Sequence, residues 1–63
     1  MSFEPGQMVV VDVLMTGYSI QCDGMIAKKS FKNQYGVQLW IVYVEWSKKT
    51  LEMEIPEFRI HRS

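Results

Sequence analysis

The side chains that could do chemistry in this chain are few, and their spacing gathers them into no site. There is one cysteine, Cys22, and one histidine, His61, which permits no internal disulfide and no four-ligand zinc site. Three carboxylates, Glu45, Glu52 and Glu54, alternate along an extended pattern with no histidine beside them. That spacing is typical of charges protecting a sheet edge rather than of an acid–base pair. The sequence therefore predicts no catalytic, cofactor-binding or metal-ligating residue, and no enzyme activity.

Lysines are the second group with chemical potential. If their loops converge, they form a basic rim for phosphate groups, with aromatic side chains nearby for base stacking. The residues concerned are Lys28, Lys29, Lys32, Lys48 and Lys49. Seven Lys and Arg residues balance seven Asp and Glu residues, so the net charge is zero, and the long-range attraction for nucleic acid is missing. Solvated loop charges are the simpler interpretation, and nucleic-acid binding is the alternative.

The strongest pattern in the chain is an apolar one. Residues 37–46 include eight apolar side chains in ten positions, and these fall on both alternating faces of a strand. A lone small sheet has one core to cover, so a strand that is apolar on both faces has a second face to bury against something else.

Glycine, proline and alternation divide the chain into five short strands and no helix of useful length. Gly24, inside the second strand, predicts a bulge or a sharp bend. Pro56 predicts a single 3-10 turn before the last strand. The strands are predicted at 8–15, 20–29, 37–46, 51–55 and 59–62, with a loop at 30–36 and a four-residue turn at 47–50.

Pairing the third and fourth strands around that turn sorts their side chains into two faces. Trp46 is then opposite Leu51, and Glu45 is opposite Glu52. The face without glutamates is the predicted core, and Trp40 belongs to the same face. Its remaining members are Val42, Val44, Trp46, Leu51, Met53 and Ile55. The outward strip, which we interpret as a protein interface, consists of Leu39, Ile41 and Tyr43, extended by Met25.

Length and composition predict one domain over residues 1–63, with residues 1–5 loose. A domain of this size is near the lower limit for folding unaided, and with no disulfide or metal to reinforce it, we expect a protein partner or a homo-oligomer. No segment reads as a signal peptide or a membrane span. A cytoplasmic location is expected, in agreement with the unpaired cysteine.

The arrangement resembles the SH3-like small β-barrel, the class that includes SH3, Tudor and KOW domains. The resemblance rests on Gly-x-x-Val from Gly6, Gly-x-Ile from Gly24, the tight third hairpin and the turn before the last strand. It implies an all-β, five-stranded SH3-like barrel, and it carries no single activity because the fold hosts many functions. Val37-Gln38-Leu39-Trp40 is similar in letters to a motif of type II dihydrofolate reductases, but it lies one strand too early.

Three functions follow from these observations, in order of support. The first is a non-enzymatic module that binds a protein or self-associates through the outward strip, as in a small accessory protein of a bacterium, phage or mobile element. The alternative is a KOW-like or Tudor-like module that binds nucleic acid through its basic loops. The remote alternative is an oligomeric pore-type enzyme of the reductase kind. No cofactor and no small-molecule substrate are expected.

Overall fold

The structure is a computed structural model that describes residues 2–63. Alternating apolar residues form five antiparallel strands, and one 3-10 turn precedes the last of them, as predicted. The elements are β1 (Met8–Met15), β2 (Tyr18–Lys32), β3 (Gln38–Trp46), β4 (Lys49–Pro56), the 3-10 turn (Glu57–Arg59) and β5 (Ile60–Arg62). Within residues 2–63, no helix is long and apolar enough to cross a membrane.

The strands form one sheet in the order β4-β3-β2-β1-β5. Short turns join β1 to β2, β2 to β3 and β3 to β4, so these four strands form a meander, and the 3-10 turn carries the chain across to β5 on the far side of β1. No ladder joins β4 to β5 in the described chain, so the sheet is not closed into a barrel. β5 covers only Val9, Val10 and Val11 of β1, which leaves the second half of β1 with β2 as its only partner strand.

The core lies on one face of the sheet, the inner face, to which every second side chain points. Its most deeply buried side chains come from β1, β2 and β3 and include Trp40, which confirms the predicted core position of that residue. The buried apolar residues of this cluster are Phe3, Val9, Val11, Val13, Cys22, Ile26, Trp40, Val42, Val44, Ile55 and Ile60. Of the predicted core face, Trp46 and Met53 are half-buried, and Leu51 is 42% exposed at the sheet edge.

The structure corrects the expectation of a bulge or a sharp bend at Gly24. β2 runs without a bulge through this residue, which pairs with Val9 on one side and Val44 on the other. A Cβ atom here would lie 2.9 Å from Cγ1 of Val42 and 3.1 Å from the carbonyl oxygen of Tyr43. Glycine therefore serves a close approach between β2 and β3 rather than a bend.

The turn between β3 and β4 is tighter than predicted. It contains two residues, Ser47 and Lys48, both with positive φ (51° and 63°), and Trp46 pairs with Lys49 across it. The predicted four-residue turn is therefore wrong, and the register is shifted by two residues, so that Glu45 is opposite Thr50 rather than Glu52. Because a shift of two keeps every side chain on its face, the predicted division into two faces survives.

The bulges of β2 lie further along the strand, at Ala27 and between Lys29 and Lys32. In the second bulge, Ser30 and Phe31 face the single residue Leu39. An extra residue bends the bulged strand, and Leu39 is only 9% exposed. Its predicted place in an exposed outward strip is therefore corrected.

The N-terminal segment is held against the sheet. Phe3 is buried, and its ring contacts that of Trp40 edge to face at a centroid distance of 5.7 Å. The amide of Gly6 donates to the carbonyl of Ile26 (2.8 Å), and the amide of Ile26 donates to Gln7 (2.9 Å). The expectation of a loose segment over residues 1–5 is corrected for Phe3 by these contacts, and Met1 lies outside the described residues.

Candidate functional site

An apolar row crosses three strands on the outer face of the sheet, opposite the core. Met8 pairs with Met25, and Met25 pairs with Tyr43, so the three side chains are cross-strand neighbours, a few ångströms apart. Their exposed fractions are 56%, 37% and 39%. We call these three residues the apolar ladder. A groove of about 320 Å³ runs beside it, lined also by Gly24, Glu45 and Thr50.

The ladder contains two of the four residues predicted for the interface. Met25 and Tyr43 are brought together directly, and Ile41, half-buried, lies one row away between Lys28 and Glu54. Leu39 does not contribute. Met8 was missed, although pairing β1 with β2 around Thr16-Gly17 places it opposite Met25, so the signal was present in the sequence.

Carboxylates surround the ladder. Five of the seven acidic residues of the chain occupy the outer face by strand register. They are Asp12, Asp23, Glu45, Glu52 and Glu54. Of the Lys and Arg residues in the described strands, only Lys28, opposite Ile41, shares that face by register. Arg59, in the 3-10 turn, lies close enough to Asp12 for its charge to help lower the pKa of that carboxyl. The outer face therefore carries more acidic than basic side chains, although the net charge of the whole molecule is zero.

Neighbouring side chains hold several of these carboxylates. The hydroxyl of Thr50 donates to Glu45 (2.9 Å), and the hydroxyl of Ser30 donates to Glu54 (2.9 Å). Nε2 of His61 lies 2.8 Å from Oδ2 of Asp12. This hydrogen bond lowers the pKa of Asp12 below its ordinary value, so Asp12 remains ionised at neutral pH. Asp12 therefore contributes a negative charge to the outer face at neutral pH.

The predicted basic rim does not assemble as one surface. Lys29 and Lys32 line a pocket of about 400 Å³ together with Trp40, whereas Lys28 is on the outer face. Lys48 and Lys49 lie at the β3–β4 turn, at the opposite end of β3. The six residue-to-residue steps from Trp40 to Trp46 place that turn roughly 20 Å away. A nucleic-acid strand contacting both groups would have to cross most of the molecule.

Two further residues singled out in the sequence are buried and have structural roles. Cys22 is buried in the core. The amide of Gln38 is also buried and donates to the carbonyls of Ser30 (2.6 Å) and Leu39 (2.9 Å), so this glutamine is not presented to a ligand. Within residues 2–63, no group of three His, Cys, Asp or Glu side chains is placed to hold a metal ion.

Comparison of the chain with protein-family models, curated proteins and solved structures finds no significant match in any of the three.

Proposed function

We propose that the protein is a non-enzymatic, SH3-like protein-binding module, acting in the cytoplasm, that docks through the outer face of its sheet. The observation that carries this proposal is the apolar ladder, a contiguous set of Met8, Met25 and Tyr43 side chains left exposed at the centre of a charged face. A meander that ends in a 3-10 turn and a crossing last strand supports the SH3-like assignment.

The chemistry of the face defines the partner. Exposed methionine and tyrosine side chains are typical anchors of protein interfaces, since they bury large apolar areas, and methionine adapts its shape to the partner. The surrounding carboxylates favour a partner that brings lysine or arginine around an apolar centre. A second copy docked face to face would place two acidic faces in contact, so the charge pattern favours a different, basic protein over self-association.

The basic-loop alternative has weaker support. The separation of Lys29 and Lys32 from Lys48 and Lys49 divides the positive charge between two ends of the sheet, and Glu57 lines the same pocket as Lys29. Nucleic acid approaching the outer face would meet five carboxylates, which repel phosphate groups.

Site-specific photocrosslinking tests the proposal. A benzophenone side chain replaces Tyr43 in one variant and Tyr35 in a matched control, because Tyr35 is 80% exposed but lies in the β2–β3 turn, away from the ladder. In cells that naturally make the protein, we expect a discrete crosslinked product from position 43 only. Met25→Glu should abolish this product, and the product formed in a lysate should weaken as salt is raised.

Equal products from positions 43 and 35, or none from position 43, would contradict the proposal. Sedimentation of the purified protein distinguishes binding to another protein from self-association. We expect a monomer at high concentration. A dimer that Tyr43→Glu dissociates would show instead that the ladder binds a second copy.

A further inference from the structure

A second apolar surface lies at the open side of the sheet, away from the ladder. Val13 and Met15 of β1 and Trp46, Leu51 and Met53 of β3 and β4 line a groove of about 350 Å³. β1 and β4 do not pair with each other in the described chain. We call this groove the cleft. Its volume falls within the range of ordinary binding pockets, about 300–1,000 Å³.

Both walls of the cleft carry backbone groups that no strand pairs. Along a strand of an antiparallel sheet, successive residues direct their backbone N–H and C=O groups to opposite sides of the strand. Lys49 closes the two-residue turn opposite Trp46, and the residue that closes such a turn points its backbone groups at its partner. Thr50, Glu52 and Glu54 therefore point theirs away from β3, toward the free edge. The same alternation from Met15 leaves Asp12 and Leu14 unpaired beyond the reach of β5.

Free backbone edges beside an apolar groove match one kind of ligand, an extended polypeptide. A strand added to β4 makes main-chain hydrogen bonds along the edge, and every second side chain enters the groove. We propose that the cleft receives an extended segment of another protein, antiparallel to β4, in which apolar and basic residues alternate. Its apolar residues contact Leu51 and Met53, and its basic residues lie beside Glu52 and Glu54.

The charge pattern of β4 distinguishes this ligand from a second copy of the chain. If β4 paired antiparallel with β4 of another molecule, residues of the outer face would lie opposite residues of the outer face. Glu52 and Glu54 would then be adjacent to the same glutamates of the copy, an unfavourable arrangement. A basic strand converts the same positions into favourable cross-strand pairs. The cleft and the apolar ladder have no lining residue in common, so either surface can fail its test without the other.

Amide hydrogen exchange followed by NMR, with synthetic peptides as probes, tests this site. The probe is an acetylated and amidated octapeptide of four Val-Lys repeats, and the controls are four Val-Glu repeats and a block peptide of four valines followed by four lysines. We expect the alternating basic peptide to slow exchange of the Thr50, Glu52 and Glu54 amides at least about tenfold. It should bind at least about tenfold more tightly than the acidic peptide.

Two variants locate the contact. Leu51→Lys, at a position already 42% exposed, should remove binding without unfolding the protein, as checked by the exchange rates of the core amides. Met25→Glu, on the outer face, should leave peptide binding unchanged. The proposal is overturned if the three amides gain no protection, if the block peptide protects them equally, or if Met25→Glu removes binding and Leu51→Lys does not. Protection that appears without peptide and rises with protein concentration would assign the edge to a second copy, which also overturns it.

Discussion

Replacing Gly24 with alanine tests how closely β2 and β3 approach each other. The new Cβ atom would lie 2.9 Å from Cγ1 of Val42 and 3.1 Å from the carbonyl oxygen of Tyr43. Val42 is fully buried, and the carbonyl belongs to a strand with a partner on both sides, so neither atom can retreat freely. Overpacking of this kind costs about 1–3 kcal/mol. Alanine also reduces the conformational entropy of the unfolded chain, which stabilises the folded protein by about 0.4–1 kcal/mol.

The net expectation is a loss of about 1–2 kcal/mol in the free energy of unfolding. For a domain of this size the total free energy of unfolding is roughly 3–9 kcal/mol, so the expected loss is a large fraction of the stability. A decrease of about 4–8 °C in Tm accompanies each kcal/mol. Urea unfolding followed by tryptophan fluorescence measures the loss directly.

A double-mutant cycle with Val42→Ala identifies the cause. Removing Cγ1 of Val42 relieves the shorter contact, so the double variant should be more stable than the two single losses predict, by about 0.5 kcal/mol or more. Gly36→Ala is the matched control. Gly36 has a φ of 78° with open space around it, so its substitution should be destabilising with no coupling to Val42. A Gly24→Ala protein as stable as the wild type, or costs that simply add, would refute the steric reasoning.

Two further predictions concern the β3–β4 turn and the buried amide. Replacing Ser47-Lys48 with Asn-Gly should raise the free energy of unfolding by about 1–2 kcal/mol, since both residues have positive φ and Asn-Gly suits such turns; an unchanged Tm would count against this. Gln38→Glu should destabilise the protein more at pH 7 than at pH 5. The new side chain would be buried against the carbonyl oxygens of Ser30 and Leu39, which raises its pKa because only the protonated acid can donate a hydrogen bond to them. Deprotonation as the pH rises therefore costs stability. Urea midpoints relative to the wild type at the two pH values measure this, and a pH-independent loss would contradict it.

The two faces of β3 could be predicted from the sequence because the glutamates of β4 label one face by their charge. Val42, Val44 and Ile55 are buried as that argument requires. The register could not be predicted, because Ser47-Lys48 lacks the asparagine and glycine that mark a two-residue turn. The error was a shift of two residues, which alternation does not detect.

Leu39 shows the limit of arguments from alternation. Its position has the same parity as Tyr43, yet it is buried where two residues of β2 face it. Nothing in the letters around Ser30 marks that bulge, since its residues are ordinary for a strand. Met8 illustrates the reverse case. Its exposure beside Met25 follows from the pairing of β1 with β2, so the outer face was accessible to sequence reasoning once all three strands were considered together.

Net charge was the least informative of the sequence properties, for a reason that bears on both proposed surfaces. The molecule measures 30 × 28 × 18 Å, whereas salt at physiological strength screens charges beyond about 8 Å. A partner on the outer face therefore interacts mainly with the carboxylates within that distance. Lys28 is the one lysine of the described strands that shares this face by register, whereas Lys29 and Lys32 pair with residues of the opposite face. Glu52 and Glu54 border both the ladder and the cleft. A protein with zero net charge should for this reason bind basic partners in a salt-sensitive way at either surface.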